Sequence, residues 1–147
     1  MGSEIAEYDD SDIRSAALCA WKEARGEGVE GMRAVLSVLK NRVGAPGFAR
    51  SLHDVIYGKN QFTSMSVPSD PEFSLQPADD DSLFGAALDM ARAILSPSCQ
   101  ETDPTRRAHY YANLHEIPTD GWFYREIVME SHFHPLTAQI GRHTFFA

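Results

Sequence analysis

Asp10-Ser-Asp-Ile-Arg-Ser-Ala-Ala-Leu-Cys-Ala-Trp-Lys-Glu-Ala-Arg-Gly-Glu-Gly28 is the stretch whose reading decides the fold. Asp10, Ser11 and Asp12 offer side-chain oxygens that can cap the first free backbone N–H groups of a helix, and Ile13 opens its apolar pattern. Ile13, Ala17, Ala20, Trp21 and Ala24 then recur at helical spacing and make one apolar stripe. At about 100° per residue, Glu23 falls roughly 100° from the centre of that stripe. Such a position is neither core nor fully solvated and suits a carboxylate at the lip of a groove. Gly26 and Gly28 break the helix.

Working outward, a second helix is expected from about Val29 to Arg42. Met32, Val35, Leu36, Leu39 and Val43 form its buried face, and Gly44 is the C-cap. Ser51 to Tyr57 reads as one short helix ending at Gly58. Lys59 to Asp80 carries prolines and small polar residues and reads as a long loop, the kind that in a compact domain usually carries function. A third long helix begins near Asp80 or Asp81, with Phe84, Ala87, Leu88, Ala91, Ile94 and Leu95 on its core side. The last third changes character. Ala108–Ala112 and Ile140–Phe146 are rich in aromatic and β-prone residues and read as extended, while Ile117–Thr119 and Ser131–Leu136 read as irregular. The expected fold class is α+β and mainly helical, with a small extended C-terminal part. Residues 1–10 are taken as a tail and 11–147 as one domain.

The totals fit that picture. A chain of 147 residues suits a single core, and a hydrophobic fraction of 43% is ample to fill one. No apolar run approaches the roughly 20 residues of a membrane span, so no membrane insertion is expected. The net charge of −8, from 21 acidic and 13 basic residues, disfavours nucleic acid as a partner and self-targeting to an anionic wall. Cys19 and Cys99 make neither a disulfide framework nor a metal knuckle, and Cys19 reads as a small buried hydrophobe. The opening Met-Gly-Ser-Glu lacks the basic and apolar regions of a secretory signal.

The sharpest chemical feature is Glu23-Ala-Arg-Gly-Glu27. Its two carboxylates stand four residues apart and can reach one side of a helix. Two acids that close raise each other's pKa, as a proton donor requires, and Arg25 can hold one charged while the other keeps its proton. A solvated helix end with an Arg–Glu pair satisfies the same spacing, and periodicity alone favours it.

Read over its whole length, the chain resembles the SleB-type cell wall hydrolases, the spore-cortex-lytic enzymes and their phage relatives. The resemblance rests on Trp21-Lys-Glu-Ala-Arg-Gly-Glu27, Glu30-Gly-Met-Arg-Ala-Val35, Leu39-Lys-Asn-Arg-Val43, His53-Asp-Val-Ile-Tyr57, Gln61-Phe-Thr63, Ala108-His-Tyr-Tyr-Ala-Asn113, Trp122 and Ile140-Gly-Arg-His-Thr-Phe-Phe146. It spans roughly Ile13 to Phe146. It implies a lysozyme-like fold and cleavage of the bond between N-acetylmuramic acid and N-acetylglucosamine in peptidoglycan glycan strands. The implied mechanism is that of a lytic transglycosylase, which leaves a 1,6-anhydro ring and uses Glu23 as a single acid/base. A hydrolytic muramidase needs a second acid, for which Glu27 is the nearest candidate.

The remaining blocks take supporting roles. Gln61 and Thr63 are expected to hydrogen-bond sugar groups. Alternation puts Tyr111 and Asn113 on one strand face and Tyr110 on the other, so one tyrosine faces the groove and the other the core. Tyr111 then holds an N-acetyl group or supports Glu23, and Trp122 stacks on a sugar. Core packing is an even alternative for the tyrosines and for Trp122, and Phe62 reads as core. Arg25 and Glu27 are expected to be structural near the site, Glu27 by accepting backbone N–H bonds at the start of the second helix.

Five histidines crowd the last third, with His132 and His134 on one side of an expected strand. A zinc amidase is the rival enzyme, but no HExxH spacing exists and the resemblance brings no metal or cofactor. His143 is expected to fix the closing strand by hydrogen bonds. A non-catalytic glycan-binding module is the non-enzymatic alternative, against which the intact Glu23 motif argues. With no leader visible, action on the cell wall after release or carriage by phage lysis or virion proteins is the expected setting.

Overall fold

The computed structural model describes residues 7–59 and 61–147. The Met-Gly-Ser start therefore lies outside the described residues. Helix α1 spans Asp10–Ala24 and is capped one residue earlier than the first expected cap. The Asp9 carboxylate accepts the Asp12 N–H at 2.9 Å, and the Asp12 carboxylate accepts the Asp9 N–H at 3.1 Å. This reciprocal pair satisfies two of the donors that a helix start leaves free. A single 3-10 turn, Arg25–Glu27, then leads into α2, Gly28–Arg42. Gly31 is required at that junction. A Cβ there would collide with the Glu27 side chain and approach the Ala24 carbonyl oxygen at 3.4 Å, so only glycine lets the two helices meet so closely.

Helix α3, Leu52–Tyr57, starts from a Ser51 cap. The stretch expected to be one long loop contains a helical turn, α4, Thr63–Ser66. Helix α5, Ser82–Ile94, starts from an Asp81 cap, as expected. Helices α1, α2 and α5 pack on one another around Ala16, Ala17, Ala20, Met32, Val35, Leu36, Leu39, Ala87 and Ala91. Cys19 lies in the same core, and both cysteines are free.

The C-terminal part holds a three-stranded antiparallel sheet: β1 Tyr110–Ala112, β2 Leu136–Ile140 and β3 His143–Phe146, in the order β1-β3-β2. Tyr111 pairs with Phe145 and Ile140 with His143. The stretch Ile140–Phe146, read as one extended piece, is thus a hairpin corner. Gly141 turns it at φ +57°, a backbone conformation that strains any other residue, and a Cβ there would displace the Glu27 carboxylate. The sheet packs on α2 through Ala34, Val38, Ala108 and Phe145. Between β1 and β2 the chain makes a widened, π-type turn at Tyr124–Val128, also absent from the sequence reading.

The His132–His134 segment is a turn and not a strand, so the two imidazoles do not share a strand face. Among the described residues no three His, Cys, Asp or Glu side chains come together as a metal site, and no helix is long and apolar enough to cross a membrane.

Candidate active site

Helix α1 carries Glu23 to the wall of a cavity of about 220 Å³. Arg42 of α2, Phe48, Gln61, Phe62, Tyr110, Tyr111, Trp122 and Phe123 complete the lining, so the last turns of two helices, the long loop and the C-terminal part all contribute. The half-buried setting of Glu23 follows from its angular offset from the α1 stripe.

Each carboxylate oxygen of Glu23 has its own donor. The Tyr111 hydroxyl donates to Oε1 at 2.6 Å, and the Ser64 hydroxyl donates to Oε2 at 2.8 Å. Burial, then the negative charge of Glu23, push the Tyr111 phenol well above its ordinary pKa, so it stays a neutral donor. The ring is fixed by Phe145, stacked at 5.5 Å, and by His143, edge-on at 5.0 Å.

Ser64 is held from behind by α1 itself. The Lys22 ammonium donates to the Ser64 carbonyl at 3.3 Å and to the Phe73 carbonyl at 2.8 Å. Burial pushes the Lys22 pKa down, while Glu72, Cys19 and Asp70 oppose that shift. Arg25 forms a two-pronged pair with Glu72, at 2.6 and 3.1 Å, and lies over the Trp21 ring at 4.1 Å. Arg25 therefore serves the loop by holding Glu72, and does not divide charge between Glu23 and Glu27. Glu27 points elsewhere. It occupies the N-cap position of α2 but makes no capping bond there, and its Oε2 instead accepts the Arg142 N–H of the β2–β3 turn at 3.4 Å.

The other candidates divide. Gln61 lines the cavity, where its side-chain oxygen accepts from Arg42 at 3.3 Å. Trp122 lines it too, with 59% of its surface exposed. Thr63 faces outward and donates to Asp70 at 2.6 Å; the hydroxyl that reaches Glu23 belongs to the next residue. Asn113 does not line the cavity, and its side-chain oxygen accepts the His115 N–H at 3.1 Å. Both tyrosines of β1 reach the cavity, although simple alternation sent one of them away. His143 does not fix its strand by a hydrogen bond through Nδ1, which is buried without a partner; its ring acts by packing on Tyr111.

Ser64, Phe48, Phe123 and Arg42 were not singled out from sequence. Of these only Arg42 leaves a trace there. It lies three residues after Leu39 and seven after Val35, on the apolar face of α2, where an arginine calls for buried partners. It finds them: its Nε donates to the His109 carbonyl at 2.7 Å, and its guanidinium lies 5.1 Å from both the Phe48 and Phe62 rings.

A helical core with a small sheet on one side and a glutamate in the cleft between them is the arrangement of a lysozyme-like enzyme. The model of the cell wall hydrolase family matches residues 26–146, and the chain belongs to that family of cell-wall-degrading enzymes. The matched span begins three residues after Glu23. The chain is similar to the catalytic domain of the Bacillus cereus SleB protein, with a TM-score of 0.69 and 27% identity over 99% of this chain and 98% of that one. It is also similar to the catalytic domain of the germination-specific lytic transglycosylase SleB from Bacillus anthracis, with a TM-score of 0.66 and 27% identity over 95% and 97%. The spore cortex-lytic enzyme of Oceanobacillus iheyensis is 30% identical over 94% of this chain but 42% of its own length. The chain thus spans about two fifths of the curated relatives it matches. These relatives carry the names of spore cortex-lytic enzymes, the family that the motifs of this sequence resemble.

Proposed function

We propose that this chain cleaves the β-1,4 bond between N-acetylmuramic acid and N-acetylglucosamine as a lytic transglycosylase, with Glu23 as the single acid/base. One observation carries this reading: among the described residues Glu23 is the only carboxylate lining the cavity, while Glu27 is turned to the β2–β3 corner. A cleft with one acid is suited to a reaction that needs no second one. Glu23 gives its proton to the glycosidic oxygen as that bond breaks. The resulting carboxylate, steadied by the Tyr111 and Ser64 hydroxyls, takes the proton of the muramic acid's own 6-hydroxyl as its oxygen closes on C1. No water is consumed, and Glu23 ends protonated as it began. Gln61 and the exposed face of Trp122 line the sugar path, and the B. anthracis relative bears the name of the same activity.

Mass spectrometry of muropeptides released from purified sacculi tests the proposal. The expected products carry 1,6-anhydro-muramic ends. Reducing muramic ends without the ring would establish a two-carboxylate hydrolase instead, and release of free peptide stems would establish an amidase.

Glu27 provides a separate check. Glu27→Gln keeps the shape of the side chain and removes only a charge that accepts one long backbone bond. The change is expected to cost up to about 1 kcal/mol, a fall in Tm of roughly 2–4 °C. The remaining activity should be near normal and give the same anhydro products. A variant with native stability but no activity would make Glu27 a catalytic partner.

A further inference from the structure

The cleft does not end at the Glu23 cavity. Phe48 and Tyr110, which wall that cavity, also wall a second one of about 260 Å³, completed by Ala45, Pro46, His109, Phe133, His134 and Ala147. The two cavities are therefore neighbours on either side of these shared rings. From the geometry of this second chamber we infer a distal sugar subsite, in which Phe133 is the platform on which a further saccharide of the glycan strand lies. The inference rests on the glycosidase reading above and extends the length of strand that the enzyme grips.

Three observations favour a sugar over the charged peptide stem of the same polymer. The chamber is walled by rings: Phe48 stacks on His109 at 5.8 Å with 20° between planes, Tyr110 meets His134 edge-on at 5.0 Å, and Phe133 stands 73% exposed beside them. Exposed ring faces suit the C–H face of a sugar. Among the described residues the chamber is also lined by no lysine or arginine that could take a stem carboxylate. Burial, then the nearby Arg42, push the His109 pKa down and keep that ring neutral, while Arg42 itself is spent on the His109 carbonyl and Gln61. Finally, a chain of net charge −8 repels acidic stems. His134 adds a polar anchor. Its Nδ1 donates to the Ala147 carbonyl at 2.9 Å, which leaves Nε2 for a sugar hydroxyl.

Phe133 is exposed and far from the buried core, so its removal should leave the fold intact. The test compares kcat/KM of wild type and Phe133→Ala on peptide-free glycan strands of two lengths, one long enough to fill both chambers and one confined to the Glu23 cavity. The expected result is a five- to tenfold loss on the long strand, the scale of one aromatic contact, with the short strand unaffected. Phe133→Trp should restore the long-strand rate. Equal losses on both lengths, or no loss on either, would overturn the subsite. So would a loss that appears only when peptide stems are present, which would assign the chamber to the stem. Failure of the wild type to cleave any peptide-free strand would instead defeat the glycosidase reading, so the two failures are distinguishable.

Discussion

Glu23→Gln is expected to give a folded protein whose clearing of cell-wall suspensions falls about 100- to 10,000-fold, the usual loss when a general acid is removed. Glutamine keeps the size and outline of the side chain. Its amide oxygen accepts from one of the two hydroxyls that now serve the carboxylate, and the other hydroxyl turns to accept from the amide NH₂. What it lacks is a proton to give. Since Glu23 is half-buried and its carboxyl group is partly stripped of water, the exchange should leave Tm unchanged or slightly raised. Paired measurements of turbidity clearing and thermal unfolding check both halves. Near-normal clearing by the variant would remove Glu23 from the chemistry. A collapse of Tm would make its role structural.

The largest effect on stability is expected at Arg42. Only 8% of this residue is exposed, yet it carries a full charge across the floor of the cleft. Its Nε bond to the His109 carbonyl ties α2 to the start of β1, its contact with Gln61 ties in the long loop, and two aromatic rings close over it. Burial pushes the Arg42 pKa down, and nearby negative charge at Glu23 opposes that shift. Arg42→Met keeps most of the apolar stem and leaves the His109 carbonyl without that donor. Relief from burying a charge offsets part of the loss. The net cost should be about 2–3 kcal/mol, a fall in Tm of roughly 5–10 °C. Thermal unfolding followed by circular dichroism measures it directly, and an unchanged Tm would mean that desolvation already cancels the pairing.

The helices were legible because their signals are local. The stripe of α1, the Leu-rich face of α2, the Ser51 and Asp81 caps and the apolar side of α5 each lie within one element. The sheet was half legible. Strands β1 and β3 are aromatic, but the residues before Leu136 form irregular turns, so the beginning of β2 is blurred, and its pairing with β3 defines it. Glu23 could be placed at a groove from helical geometry alone, whereas its partners could not. Ser64 is 41 residues away and Tyr111 is 88. The same holds for Arg25, whose partner, Glu72, lies 47 positions on and outside any periodic pattern. Spacing within a motif suggested the Glu23–Glu27 pair, and tertiary contacts with the β2–β3 corner drew Glu27 away from it.

The anchoring of Glu23 from two remote segments also sets when its surroundings are completed during synthesis. The glutamate emerges early in synthesis, but a nascent chain of some hundred residues has only the Ser64 half of its cradle. The Tyr111 half docks through pairing with Phe145, so strand β3 must be made before the phenol can be held in place. Contacts of such long sequence separation form late, after the local helices. The setting of Glu23 is therefore a property of the finished fold: a growing or clipped polypeptide that displays the complete glutamate motif lacks the Tyr111 half of the cradle until β3 pairs with β1.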